Sequence, residues 1–150
     1  MKTVDNPIVP WSARGSRYSE EDIAFVAEAM RSADTLTQGK YQDEFEAAFT
    51  GYIGAQHSFA VSSCTAALFL AATLSKVGPG DDVIIPSHTF AATAIPFGHT
   101  GAKILWADID PETLVVSAET IQAILTPNTK VIVVVHLYGL MADMDPIMAL

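Results

Sequence analysis

From Ser19 onward the apolar residues Ile23, Val26, Ala27 and Met30 recur three or four positions apart. That period predicts an amphipathic helix opened by Ser19, whose hydroxyl can cap a free first-turn amide. A second stretch carrying Tyr41, Phe45, Ala48, Phe49 and Tyr52 predicts another helix, ending near Gly51 or Gly54. From Ser58 the pattern changes to short continuous apolar runs alternating with helical stretches. These predict strands over 58–63, 82–86, 103–109 and 130–137 and helices over 65–76, 89–98 and 118–125, with Asp145-Pro146 opening a further helix. The run VIVVV at 131–135 shows no polar alternation, so its strand is covered on both faces. A mostly parallel sheet between two helical layers follows, an α/β fold. Gly78-Pro79-Gly80-Asp81 and Asp110-Pro111-Glu112 read as turns between units. Residues 1–18, with Pro7, Pro10 and Gly15, read as an extended arm, and a turn is expected over 34–39.

Composition narrows the function classes. The chain has 150 residues, 50% of them hydrophobic, which suits one globular domain or part of a larger one. Net charge is -9 and no Lys/Arg cluster occurs, which speaks against nucleic acid as a partner. Cys64 is the only cysteine and cannot form an internal disulfide. The amino terminus lacks the basic-then-apolar layout of a secretion signal, so a cytoplasmic setting is expected. The apolar run 131–135 is too short to span a bilayer and is closed by His136, so no membrane partner is expected.

Two stretches carry candidate chemistry. In FAVSSCTAALFLAA, residues 59–72, a strand passes into a helix through Ser62, Ser63, Cys64 and Thr65. A helix amino terminus has unsatisfied N–H groups and partial positive charge, and small side chains let an anion approach them, so this is a candidate phosphate seat. An ordinary Ser/Thr cap without a ligand explains the same residues. Cys64 reads as a small buried hydrophobe rather than a nucleophile, because no base partner is identifiable. In IIPSHTFAATA, residues 84–94, a second strand ends at Pro86 and leads through Ser87, His88 and Thr89 to Phe90. Ligands gather at the carboxyl ends of strands in open parallel sheets, so Phe90 could stack on a flat cofactor there. A core aromatic is the competing reading.

Several familiar sites are absent from the sequence. No G-x-G-x-x-G follows the first strand and no G-x-x-x-x-G-K-[ST] occurs. His57, His88, His99 and His136 are scattered without H-E-x-x-H spacing, so no metal is expected.

Taken in order, SSCTAALFLA, GPGDDVIIPSHTFAATA, DIDPETL, ILTPNTKVIVVVHLYG and ADMDPI resemble the DegT/DnrJ/StrS family of pyridoxal-phosphate-dependent sugar aminotransferases, from about Ser12 to Leu150. The resemblance implies the three-layer α/β/α large domain of the fold-type I aminotransferases, with residues 1–35 an arm and first helix and residues 36–150 the amino-terminal half of the cofactor-binding domain. It implies pyridoxal 5'-phosphate as cofactor, with Cys64, Thr65 and Ala66 holding its phosphate, Phe90 stacking on its ring and His136 near its phenolic oxygen. Gln38 and Gly39 match a turn near the substrate entrance, although a plain helix-start turn accounts for them equally. The implied reaction moves an amino group from an amino acid, typically glutamate, to a nucleotide-linked keto-sugar. A homodimer with shared active sites is also implied.

The sequence departs from the family pattern at Leu140 and Met141, where a polar residue and a proline are usual, and at Pro96, which is expected to kink or end the helix begun at Thr89. None of the five lysines, Lys2, Lys40, Lys76, Lys103 and Lys130, sits where a Schiff-base residue belongs. The expectation is therefore that these residues are the amino-terminal part of a longer protein, with the lysine and the pyridine-nitrogen carboxylate lying beyond Leu150. A sugar dehydratase of the same family, with that lysine replaced, shares every motif. So does a non-catalytic regulatory protein keeping the fold.

Overall fold

A computed structural model describes residues 18–33, 35 and 37–150. They fall into two compact units, Met1–Ala60 and Val61–Leu150, each described by itself. Apart from Tyr18, the expected arm lies outside the described residues, as do Asp34 and Leu36 of the expected turn.

The first unit holds α1 (Glu20–Ser32) and α2 (Lys40–Ile53). As expected, Ser19 starts α1: its hydroxyl accepts from the Asp22 amide at 3.1 Å, and the Asp22 carboxylate accepts from the Ser19 amide at 2.8 Å. This reciprocal capping box satisfies two first-turn donors. Helix α2 ends on Gly54, whose left-handed φ of 69° suits a residue without a Cβ. An edge-to-face contact of Phe25 with Tyr41, at 5.5 Å, joins the helices. Neither helix has a buried residue, and Ile23, Val26, Phe45 and Phe49 are open to solvent.

In the second unit α3 (Cys64–Leu74), β1 (Asp82–Pro86), a 3-10 turn (Ala91–Thr93), α4 (Ile95–His99), β2 (Lys103–Ala107), α5 (Ala118–Gln122), β3 (Thr129–Ile132) and α6 (Met144–Met148) follow in order. The three strands are parallel, in the order β2-β1-β3, with Ile84 opposite Leu105 and Ile132. Every residue of the central strand β1 is buried, which explains why its sequence lacks alternation. Its side chains still alternate between two cores. Ile84 packs with Val116, Ile121 and Ile147 on the face covered by α5 and α6. Val83 and Ile85 pack with Ala72 and Phe97 on the face covered by α3 and α4. The unit is thus the expected three-layer α/β/α arrangement. The buried Asp82 carboxylate accepts from the Thr126 hydroxyl at 2.6 Å, so its polarity is satisfied.

Four elements differ from expectation. Residues 58–63 form no strand; the Glu46 carboxylate takes the Ala60 amide at 2.8 Å, and no ladder partner is present among the described residues. Strand β2 stops at Ala107 because Asp110 begins a turn, its carboxylate accepting from the Glu112 and Thr113 amides at 2.9 and 2.8 Å. Strand β3 stops at Ile132, although the Val133 amide still donates to the Ile84 carbonyl at 2.9 Å. The helix over 89–98 is broken ahead of Pro96, as expected, but into two elements: the 3-10 turn ends at Thr93 and α4 begins at Ile95. Pro96 lies in the first turn of α4, where its missing N–H removes no intrahelical bond.

Candidate functional site

The amino end of α3 is built by Ser63. Its backbone is extended (φ -166°, ψ 161°), and its hydroxyl accepts from the Ala66 amide at 3.1 Å. The Ala67 amide bonds the Ser63 carbonyl, also at 3.1 Å. The Ala66 amide is therefore committed to the cap, while those of Cys64 and Thr65 meet no acceptor among the described residues. Both side chains are exposed, so Cys64 is not the buried thiol expected of it. No acidic side chain lies in the first turn of α3 to neutralise the positive helix end. Two open amides, a free hydroxyl and an eleven-residue helix make a donor set suited to a phosphate.

Phe90 stands where β1 has given way to the 3-10 turn. The Ser87 amide donates to the Ala107 carbonyl at 2.8 Å, holding this loop to the end of β2. The Thr89 and Thr93 hydroxyls lie 2.8 Å apart across the turn. Phe90 itself is 77% exposed, which rules it out as a core aromatic of this unit and leaves its ring face open. Helix α3 packs against the same 3-10 turn.

His136 follows β3 on the same carboxyl edge. Its Nδ1 accepts from the amide of buried Ala142 at 3.1 Å, so a neutral ring carries its proton on Nε2. The exposed ring thus presents a donor. His88, after β1, is wired the other way. Its Nδ1 lies 3.3 Å from the Leu114 carbonyl, which can only accept, so Nδ1 bears a proton and, in the neutral ring, Nε2 is an acceptor. The His88 ring also lies 5.9 Å from that of Tyr138. The sequence reading treated His88 as a lead-in to Phe90 and missed it; the available signal was a polar ring at the strand end inside the same motif. The turn offering Leu114 is held by Asp110, whose carboxyl lies below its ordinary range because the Thr113 amide, then the Glu112 amide, bond its charged form.

Gln38 and Gly39 belong to the first unit. Together with Ser32, Thr35, Lys40 and Tyr41 they line a cleft of about 520 Å³. Gly39 has φ 146°, a left-handed conformation that favours glycine, and a Cβ there would sit 3.3 Å from the Thr35 hydroxyl, close enough that this side chain would have to give slightly.

The pattern of residues 16–150 matches that of the DegT/DnrJ/EryC1/StrS aminotransferase family. The chain belongs to that family. Among similar proteins, the spore coat polysaccharide biosynthesis protein SpsC of Bacillus subtilis (strain 168) is 45% identical over 130 residues, 87% of this chain and 33% of SpsC. GDP-perosamine synthase of Caulobacter vibrioides is 39% identical over 137 residues, 91% of this chain and 37% of the synthase. Spr1654 from Streptococcus pneumoniae, solved in a PLP-form, superposes with a TM-score of 0.81 at 31% identity over 89% of this chain and 34% of that one. The chain thus spans about a third of the length of the curated relatives it matches. Among the described residues no helix is long and apolar enough to cross a membrane.

Proposed function

We propose that this chain supplies the phosphate seat and ring-stacking face of a pyridoxal-phosphate-dependent aminotransferase acting on a nucleotide-linked keto-sugar, with an amino acid, glutamate by expectation, as donor. The observation that carries the reading is the open amino end of α3 in a member of this aminotransferase family, beside the exposed Phe90. The names of relatives concerned with GDP-perosamine and with spore coat polysaccharide favour a sugar substrate in polysaccharide biosynthesis.

Each residue then has a physical role. The amides of Cys64 and Thr65, with the Thr65 hydroxyl, bind the phosphate dianion. Ala66 fixes the cap through Ser63, which holds those two amides in place. Phe90 orients the pyridine ring by offering its face, and His136 donates from Nε2 toward the phenolic oxygen. Pyridoxal phosphate, when bound, supplies an electron sink for bonds broken at the amino-bearing carbon. Gln38 and Gly39 line the substrate entrance. No lysine of this chain is assigned the Schiff-base role.

Residues 1–35 are assigned to an arm and first helix, and residues 36–150 to the amino-terminal half of the cofactor-binding domain. A cytoplasmic homodimer with shared active sites completes the reading. The test is incubation of the full-length protein carrying the Schiff-base lysine, not of residues 1–150 alone, which should be inactive, with pyridoxal phosphate, glutamate and a nucleotide-diphosphate keto-sugar. An amino-sugar product with matching 2-oxoglutarate is expected. Bound cofactor with release of a deoxy-keto-sugar and no amine would make it a dehydratase instead.

A further inference from the structure

We propose that His88 is a positioning residue for the cofactor edge, tying the loop that carries Phe90 to the loops after both flanking strands. This rests on the reading above that the edge holds pyridoxal phosphate.

The sheet order places β1 between β2 and β3, so a side chain just past its end can reach both neighbouring loops. His88 does so. Its Nδ1–H donates to the Leu114 carbonyl in the loop after β2, and its ring packs at 59° to the Tyr138 ring in the loop after β3. Both contacted residues have left-handed backbones, with φ of 60° at Leu114 and 54° at Tyr138. A non-glycine residue in that region costs free energy and persists where its surroundings fix it. Leu114 is otherwise held by its own amide, which donates to the Asp110 carbonyl at 2.8 Å, and Tyr138 sits in a turn closed by Leu140 N–H on the Leu137 carbonyl at 2.9 Å. His88 alone of these groups touches both loops, and it lies two residues before Phe90 while Tyr138 lies two after His136. It therefore sets the spacing between the stacking ring and the Nε2 donor.

The test compares the wild type with His88→Ala, His88→Asn and His88→Gln. The Asn side-chain amide can occupy the position of Nδ1; that of Gln reaches past it. Cofactor affinity, the absorption band of bound pyridoxal phosphate and the melting temperature of the cofactor-free protein are read for each. His88→Ala should bind pyridoxal phosphate about three- to tenfold more weakly, the equivalent of one hydrogen bond, with a shifted band. His88→Asn should restore both, and His88→Gln should not. Unchanged affinity and band in folded His88→Ala would overturn the proposal. So would a lower melting temperature alone, which marks a structural role. If His88→Ala does not fold, equal behaviour of the Asn and Gln variants overturns it. Failure of the wild type to bind the cofactor would instead remove the functional reading beneath it.

Discussion

The imidazoles of His88 and His136 are held in opposite tautomers on one edge of the sheet. His88 donates from Nδ1 to the Leu114 carbonyl, whereas His136 accepts at Nδ1 from the Ala142 amide. One ring therefore shows an acceptor at Nε2 and the other a donor. Nitrogen-15 NMR of the neutral rings should find the proton on Nδ1 in His88 and on Nε2 in His136. The same tautomer in both would contradict the hydrogen-bond assignment.

His136 also has a structural effect separable from any ligand. Its ring satisfies the amide of buried Ala142. His136→Ala should lower stability by about 1–3 kcal/mol through that unpaired donor, and His136→Asn, which keeps an acceptor nearby, by less. Chemical denaturation without cofactor checks this. Equal losses for the two variants would mean the amide finds another partner.

The sequence predicted β1 to the residue, since Asp82–Pro86 is buried on both faces and bounded by clear turns. The cap at Ser19 and the start of the hinge helix beside Ser63 were legible because capping chemistry is local. Residues 58–63 were not, because an apolar run becomes a strand only beside a partner, and here Glu46 takes the Ala60 amide. The interruption at Pro96 was legible, but not that a second helix starts there, because proline's effect depends on its place in a helix, which sequence leaves open. Phe90 could be read from its position in a motif, whereas its exposure depends on packing. The wiring of His88 and His136 rests on loop backbones distant in sequence, which no periodicity reports.

Glu46 should make the entry to the hinge pH-sensitive. Its carboxyl is held below the ordinary value of 4.5, first by the Ala60 amide and then by Gln42. A group with a depressed folded pKa stabilises fully above its unfolded value and loses that contribution as pH falls through the folded one. Exchange of the Ala60 amide, corrected for intrinsic rate, should therefore accelerate on acidification below 4.5. In Glu46→Ala it should be fast at every pH. A pH-independent rate in the wild type would contradict the bond.

Phe90→Ala should weaken pyridoxal phosphate binding by about 0.5–1.5 kcal/mol, the worth of a stacked pair beyond burial. Because the ring is 77% exposed, the melting temperature of the cofactor-free protein should barely move. A cofactor titration and a thermal melt on one sample separate the outcomes. Lost stability with unchanged affinity would return Phe90 to a packing role.

The phosphate seat at the amino end of α3 is tested most directly by titrating the wild type and Thr65→Leu with pyridoxal phosphate and with pyridoxal, which lacks the phosphate. The substituted leucine side chain would crowd the open Cys64 and Thr65 amides and remove the hydroxyl. Affinity for pyridoxal phosphate should fall about tenfold or more, as for loss of a charge-assisted hydrogen bond, while that for pyridoxal should stay as in the wild type. Equal affinity of the two proteins for pyridoxal phosphate would contradict the seat.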